Sequence, residues 1–186
     1  MALPKLNTQT FELTVPSTDE KIKFRPFLVK EEKILLQAQE GGQSEMMDAV
    51  ADVVESCTFG KVNVNALPSF DLEYIFLKIR SKAVGEKVKL NLPFPGDEDV
   101  KVPTTVDLSK VEVHVSEEHT NKINLTDSVS VVMRYPTIKT FSGIKVDKLT
   151  AEDAVDMTSR CIYQVENGVE TYEAADLSKE EKQEFI

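Results

Sequence analysis

Few residues of this chain have the chemistry for catalysis or metal binding: two histidines, His114 and His119, two cysteines, Cys57 and Cys161, and short carboxylate runs. A zinc site needs four converging nitrogen, sulfur or oxygen ligands. His119 follows Glu117-Glu118, but neither an HExxH nor a CxxC spacing occurs. The runs Asp97-Glu98-Asp99, Glu117-Glu118 and Glu180-Glu181 fall in expected loops or near the C-terminus. General acid–base work needs carboxylates in unlike environments, one of them desolvated, so these runs read as solvated charge. Asp97 and Asp99 could touch calcium, but the twelve-position EF-hand pattern is missing. The seven glycines are scattered and build no phosphate-cradling loop. Ser56-Cys57 and Ser159-Arg160-Cys161 have no histidine near them in sequence to act as a base. The residues therefore point to no catalytic group, no cofactor and no metal. A hydrolase would need loop carboxylates or the histidines to converge through the fold.

Two other constellations suit binding. Arg25-Pro26-Phe27 and Arg134-Tyr135-Pro136 each place a base, a ring and a proline at a strand end. Arginine and aromatic rings are favoured interface anchors, so Arg25, Phe27, Arg134 and Tyr135 are the candidate partner-binding residues. The competing reading has the rings capping the core and the arginines paired with acids.

The elements that position these residues follow from periodicity. Phe11, Leu13 and Val15 alternate with polar residues, as do Ile22 and Phe24, and Pro16-Ser17-Thr18-Asp19-Glu20 lies between. This predicts a β-hairpin with one wet face, ended by Pro26. A helix is expected over residues 30–40, with Ile34, Leu35 and Ala38 as its apolar stripe and Gly41 as a left-handed C-cap. Ser44 is expected to cap a second helix carrying Met46, Met47, Val50, Val53, Val54 and Cys57 on one face. The short link between them predicts an antiparallel helical hairpin. A third helix opens at Pro68-Ser69, with Ser69 or Asp71 as cap, buries Leu72, Ile75, Phe76, Ile79 and Ala83, and stops at Gly85.

From Glu86 to Tyr135 the period is two. Four or five strands of an antiparallel meander are expected, broken at Pro93-Phe94-Pro95-Gly96-Asp97 and at Pro103-Thr104. One strand would run through Val111, Val113 and Val115 and place His114 on its polar face. Further on, Thr150 and Asp153 resemble a capping box ahead of a stripe of Ala154, Met157, Cys161, Ile162 and Val165. Asn167-Gly168 would close that helix or turn a short hairpin. Ser178 and Glu181 form a capping box before a final helix that is marginal in isolation; it should dock on the body or belong to a longer element.

The fold class is therefore α+β: an N-terminal β-hairpin and three helices, an antiparallel β-meander in the middle, and a C-terminal helix. The regions are 1–85, 86–135 and 136–186, expected to form one compact domain. No apolar run approaches the length of a membrane span, and no apolar segment marks a signal peptide. The cytosol is the expected compartment, and the two cysteines read as free, buried thiols. A net charge of −10 repels phosphate backbones, which argues against nucleic acid as a partner; a basic protein surface would be attracted, and the competing reading is simply a solvated acidic surface.

Several stretches carry a family resemblance. They are Leu3-Pro4-Lys5-Leu6-Asn7; Lys23-Phe24-Arg25-Pro26-Phe27-Leu28-Val29-Lys30-Glu31-Glu32-Lys33-Ile34-Leu35-Leu36; Phe70-Asp71-Leu72-Glu73-Tyr74-Ile75-Phe76-Leu77-Lys78-Ile79-Arg80 with the following Ser81-Lys82-Ala83-Val84-Gly85-Glu86; and Met133-Arg134-Tyr135-Pro136-Thr137. In combined length and order they resemble the T4-type bacteriophage baseplate hub and hub-assembly family. Some relatives look cysteine-bearing after the Gly85-Glu86 position, where Leu92-Pro93-Phe94-Pro95-Gly96 has no cysteine. Longer relatives carry a C-terminal helix and tail beyond the end of this chain. The resemblance implies a non-enzymatic protein of contractile-tail assembly. It would be a hub subunit or hub-assembly factor with other hub proteins as partners, in the host cytoplasm during assembly or in the virion baseplate. The alternative is an acidic cytosolic adaptor or host-interaction protein without catalysis.

Overall fold

The computed structural model describes residues 8–144 and 148–186. Leu3-Pro4-Lys5-Leu6-Asn7 lies outside the described residues. The architecture is mixed α+β, and the chain divides into two compact units. The first takes residues 8–64 with Phe70–Val113; the second takes the described residues of Asn65–Ser69 and His114–Ile186.

The first unit opens with the expected hairpin. Strands β1 (Phe11–Thr14) and β2 (Lys21–Phe24) pair antiparallel, with Phe11 opposite Phe24 and Leu13 opposite Ile22. The Phe11 and Phe24 rings lie 5.7 Å apart, the cross-strand pairing that stabilises a two-stranded ribbon. Asp19 takes a positive φ of 56° in the connection, a conformation that aspartate tolerates through local hydrogen bonding. Helices α1 (Val29–Gly41) and α2 (Gln43–Cys57) follow as consecutive helices in contact. The cap positions differ from expectation by one or two residues. Gly42, not Gly41, supplies the positive φ (116°), and α2 starts at Gln43 rather than after Ser44.

The stripe expected on α1 is also different. Ile34 is exposed, Leu35 and Ala38 are half-buried, and the residue that α1 buries is Glu31. The unit's most deeply buried apolar side chains are instead Phe24, with Val53, Val54 and Cys57 of α2, and Leu72, Ile75 and Ile79 of α3 (Ser69–Val84). Phe76, expected beside them, is only half-buried. Two side chains tie α3 to distant segments. Asp71, fully buried, accepts hydrogen bonds from the backbone N–H (3.2 Å) and the hydroxyl of Ser17 in the β1–β2 connection. Lys78 donates to the carbonyls of Leu108, Ser109 and Val111 at 3.3, 3.0 and 2.8 Å, which holds the segment after β4 against the helix.

A long hairpin of β3 (Lys87–Phe94) and β4 (Asp97–Asp107) completes the unit. Its register pairs Val88 with Val106, Leu90 with Thr104 and Leu92 with Val102, and it shifts between Pro93 and Phe94. Pro93-Phe94 and Pro103-Thr104, expected as breaks, lie within the strands. The turn is Pro95-Gly96, with Gly96 at φ 94°. The single meander is not formed, because among the described residues β3 and β4 pair only with each other. Nor do Val111, Val113 and Val115 make a strand; that segment is irregular, and Val111 is fixed through its carbonyl by Lys78.

The second unit contains a four-stranded antiparallel sheet in sequence order: β5 (Lys122–Asn124), β6 (Val129–Met133), β7 (Ile162–Asn167) and β8 (Glu170–Glu173). Helix α4 (Ala151–Cys161) precedes β7. The capping box is present: the Thr150 hydroxyl accepts from the Asp153 N–H at 3.1 Å, and the Asp153 carboxylate accepts from the Thr150 N–H at 3.0 Å. The helix stops at Cys161, so Ile162 and Val165 belong to a strand and not to the helical stripe. A β-bulge explains the spacing. Val131 pairs with Val165 and Met133 with Ile162, with a register shift between Val132 and Met133. The additional residue lets two buried positions three apart face one core. Asn167-Gly168 turns the β7–β8 hairpin, with Gly168 at φ 60°. Val131, Ile162, Val165 and Ala174 form the core of this unit, and Leu177 and Phe185 pack against it. These two flank the short helix α5 (Lys179–Gln183), which Ser178 and Glu181 cap reciprocally. The final segment docks through Phe185.

Candidate functional site

Arg25 and Phe27 belong to the first unit, Arg134 and Tyr135 to the second. Arg25 follows the last residue of β2 and is buried. Its backbone N–H donates to the Cys57 carbonyl at 3.0 Å, joining the hairpin to the C-terminus of α2. Its guanidinium donates to the Pro26 carbonyl (3.0 Å), to Glu31 Oε1 (2.9 Å) and to Ser56 Oγ (3.1 Å). Glu31 accepts from the Leu28 N–H at 2.8 Å, and so satisfies one of the orphan donors at the start of α1. It also accepts from Ser56 Oγ (3.1 Å) and pairs with Lys30 (3.2 Å). Burial works to raise the Glu31 pKa, but the hydrogen bonds from Arg25, Leu28 and Lys30 outweigh it and bring it to about 2. Arg25 is thus spent inside the unit, pairing with an acid, and Phe27 beside it is half-buried.

This network gives the stretch from Arg25 to Glu31 a physical reason. Pro26 ends the strand, and Glu31 caps the helix while neutralising the arginine that the crossing buries. Sequence reasoning allowed an acid partner for Arg25 without identifying Glu31, and weighed Ser56 only as a nucleophile. The usual capping signal needs a serine or threonine at the cap, where this chain has Leu28. The acid two residues inside the helix start was the available signal.

Chemically, these groups are poorly placed for proton transfer near neutrality. A carboxylate near 2 is a weak base there. Burial pushes the adjacent Cys57 thiol up to about 11, and a protonated thiol is a weak nucleophile. His114 is exposed in irregular chain. Among the described residues, no group of three or more His, Cys, Asp or Glu is arranged to hold a metal ion.

Arg134 and Tyr135 lie on a cleft of about 820 Å³ in the second unit. Its walls include Met133 from the end of β6, Met157 and Cys161 from α4, and His119. Arg134 is exposed, and its Nε and Nη2 donate to the Arg160 carbonyl at 3.3 and 2.9 Å. Its backbone N–H donates to the Cys161 carbonyl at 2.8 Å, which joins β6 to the end of α4. Tyr135 is 39 % exposed, lies parallel to the His119 ring, and its hydroxyl is 2.8 Å from His119 Nε2. Thioethers, aromatic rings and a cation therefore line one cleft. The pairing of His119 with Tyr135 left no signal in the sequence, because sixteen residues separate them.

No helix among the described residues is long and apolar enough to cross a membrane. No curated protein and no solved structure matches the chain. Over residues 7–186 it matches the family described as T4 bacteriophage base plate protein. That match takes in the Arg25–Glu31 crossing, α3 and the Arg134-Tyr135 corner, so the chain belongs to the T4 bacteriophage base plate protein family.

Proposed function

We propose that this baseplate protein is a non-enzymatic factor of tail morphogenesis, either a hub subunit or a hub-assembly factor that binds other hub proteins. The family match over nearly the whole chain carries the reading; it gives the protein a role in the phage baseplate and other baseplate proteins as its associates. The chemistry is compatible, since the buried charged groups Arg25, Glu31 and Asp71 are engaged in joining elements. The Arg134–Tyr135 cleft supplies a surface for a partner segment. The place of action is the host cytoplasm during assembly, and the virion baseplate if the protein is a retained subunit.

Mass spectrometry on purified mature particles and on isolated baseplate intermediates tests this reading. Presence in both makes it a subunit, and presence in intermediates alone makes it an assembly factor that leaves. Absence from both, with other tail proteins well detected, overturns it.

A further inference from the structure

We propose that the face of the β3–β4 hairpin carrying Leu90, Leu92 and Val102 docks on another baseplate protein. The receiving surface would be an apolar strip with lysines or arginines where the hairpin tip lands. This inference rests on the baseplate reading above.

Leu90, Leu92 and Val102 are 42, 45 and 41 % exposed, and Phe94 and Val100 at the bulged end are 52 and 49 % exposed. Leu92 and Val102 are direct cross-strand partners, and Leu90 is two residues along, so the three share one face. Single exposed apolar residues are ordinary, whereas a contiguous row on a projecting ribbon marks an interaction surface. The opposite face carries Lys87, Lys89 and Lys101, all exposed, and stays wet. One face is therefore available for docking.

The edges of the ribbon do not suit an added strand. Pro93 lies in β3 opposite Lys101, and Pro103 lies in β4 opposite Asn91. A proline supplies no N–H, so each edge carries an interruption of the ladder that a partner strand would need. A partner is thus directed to the face.

Charge selects the kind of partner. The tip carries Asp97 and Asp99, both exposed, and neither forms an ion pair among the described residues. With a net charge of −10, a second copy is repelled and a basic rim is attracted.

The test uses the full chain and purified baseplate intermediates from an infection in which its gene is disabled. Leu90→Ser/Leu92→Ser should bind these intermediates at least about tenfold more weakly, with an unchanged melting temperature. Asp97→Lys/Asp99→Lys, at exposed sites, should also weaken binding and flatten its salt dependence. Wild-type affinity in both variants overturns the hairpin assignment and leaves the hub reading intact. A wild-type dimer in sedimentation that Leu90→Ser/Leu92→Ser dissociates assigns the face to a second copy and also overturns it. If the wild-type chain binds no intermediate, the hub reading fails and this inference with it.

Discussion

Replacing Glu31 by alanine should be among the most damaging single changes in the first unit. The Glu31 side chain is 3 % exposed and that of Arg25 10 %, so removing the carboxylate strands a buried guanidinium. The carbonyl of Pro26 and the hydroxyl of Ser56 would remain as its acceptors. Breaking a buried pair from one side costs about 3–5 kcal/mol, and the Leu28 N–H loses its acceptor as well. Removing both charges with apolar residues of similar size, Arg25→Met/Glu31→Leu, should cost less than Glu31→Ala alone, because no charge is left buried. Acid adds a second signature. The carboxyl is lowered from an ordinary 4.5 to about 2 in the folded chain. Its stabilisation is therefore complete above about pH 4.5 and is lost as pH falls towards 2, on the order of 3 kcal/mol in all. Urea unfolding by circular dichroism at neutral and acid pH measures both effects. Hydrogen exchange across residues 25–57 places the loss in the first unit. A cost below about 0.5 kcal/mol for Glu31→Ala, within the range of ordinary surface substitutions, together with a wild-type acid slope, would refute the keystone role of this network.

Two further outcomes follow from burial. Ile75→Ala, at a fully buried position of α3, should destabilise by about 2–5 kcal/mol, whereas Phe76→Ala, half-buried, should fall below the ~3–5 kcal/mol of a fully buried phenylalanine; chemical denaturation ranks the two, and the reverse order would mean that α3 is rotated. Cys57 and Cys161 are both buried and free, and burial raises both thiols. Ellman's reagent at pH 8 should therefore leave Cys57, 0 % exposed, unlabelled in the native chain, react only slowly with Cys161, 9 % exposed on the cleft wall, and label both in denaturant; rapid native labelling of Cys57 would show that it is open to solvent.

What the sequence determined by itself is what neighbouring residues decide. The β1–β2 hairpin, the two capping boxes at Thr150–Asp153 and Ser178–Glu181, the end of α3 at Gly85 and the pair of buried thiols all follow from local spacing, cap chemistry or turn propensity. The α+β class and the family are legible in the same way, the first from periodicity and the second from residue order. What the tertiary structure decided involves pairing across distance. Alternation specifies a strand and its faces but not its neighbour, so the expected meander is a separate β3–β4 ribbon and a sheet whose last two strands come from the C-terminal region. Ile162 and Val165, three apart, fit a helical stripe and a bulged strand equally well, and only the pairing with Met133 and Val131 selects the strand. The fate of the anchors was also settled by packing. Arg25 and Arg134 occupy like motifs, yet Glu31 and Ser56 draw the first inside, while the second lies exposed over the carbonyl at the end of α4. That difference depends on which groups the fold brings within about 3 Å, the reach of a hydrogen bond, and sequence distance does not measure it.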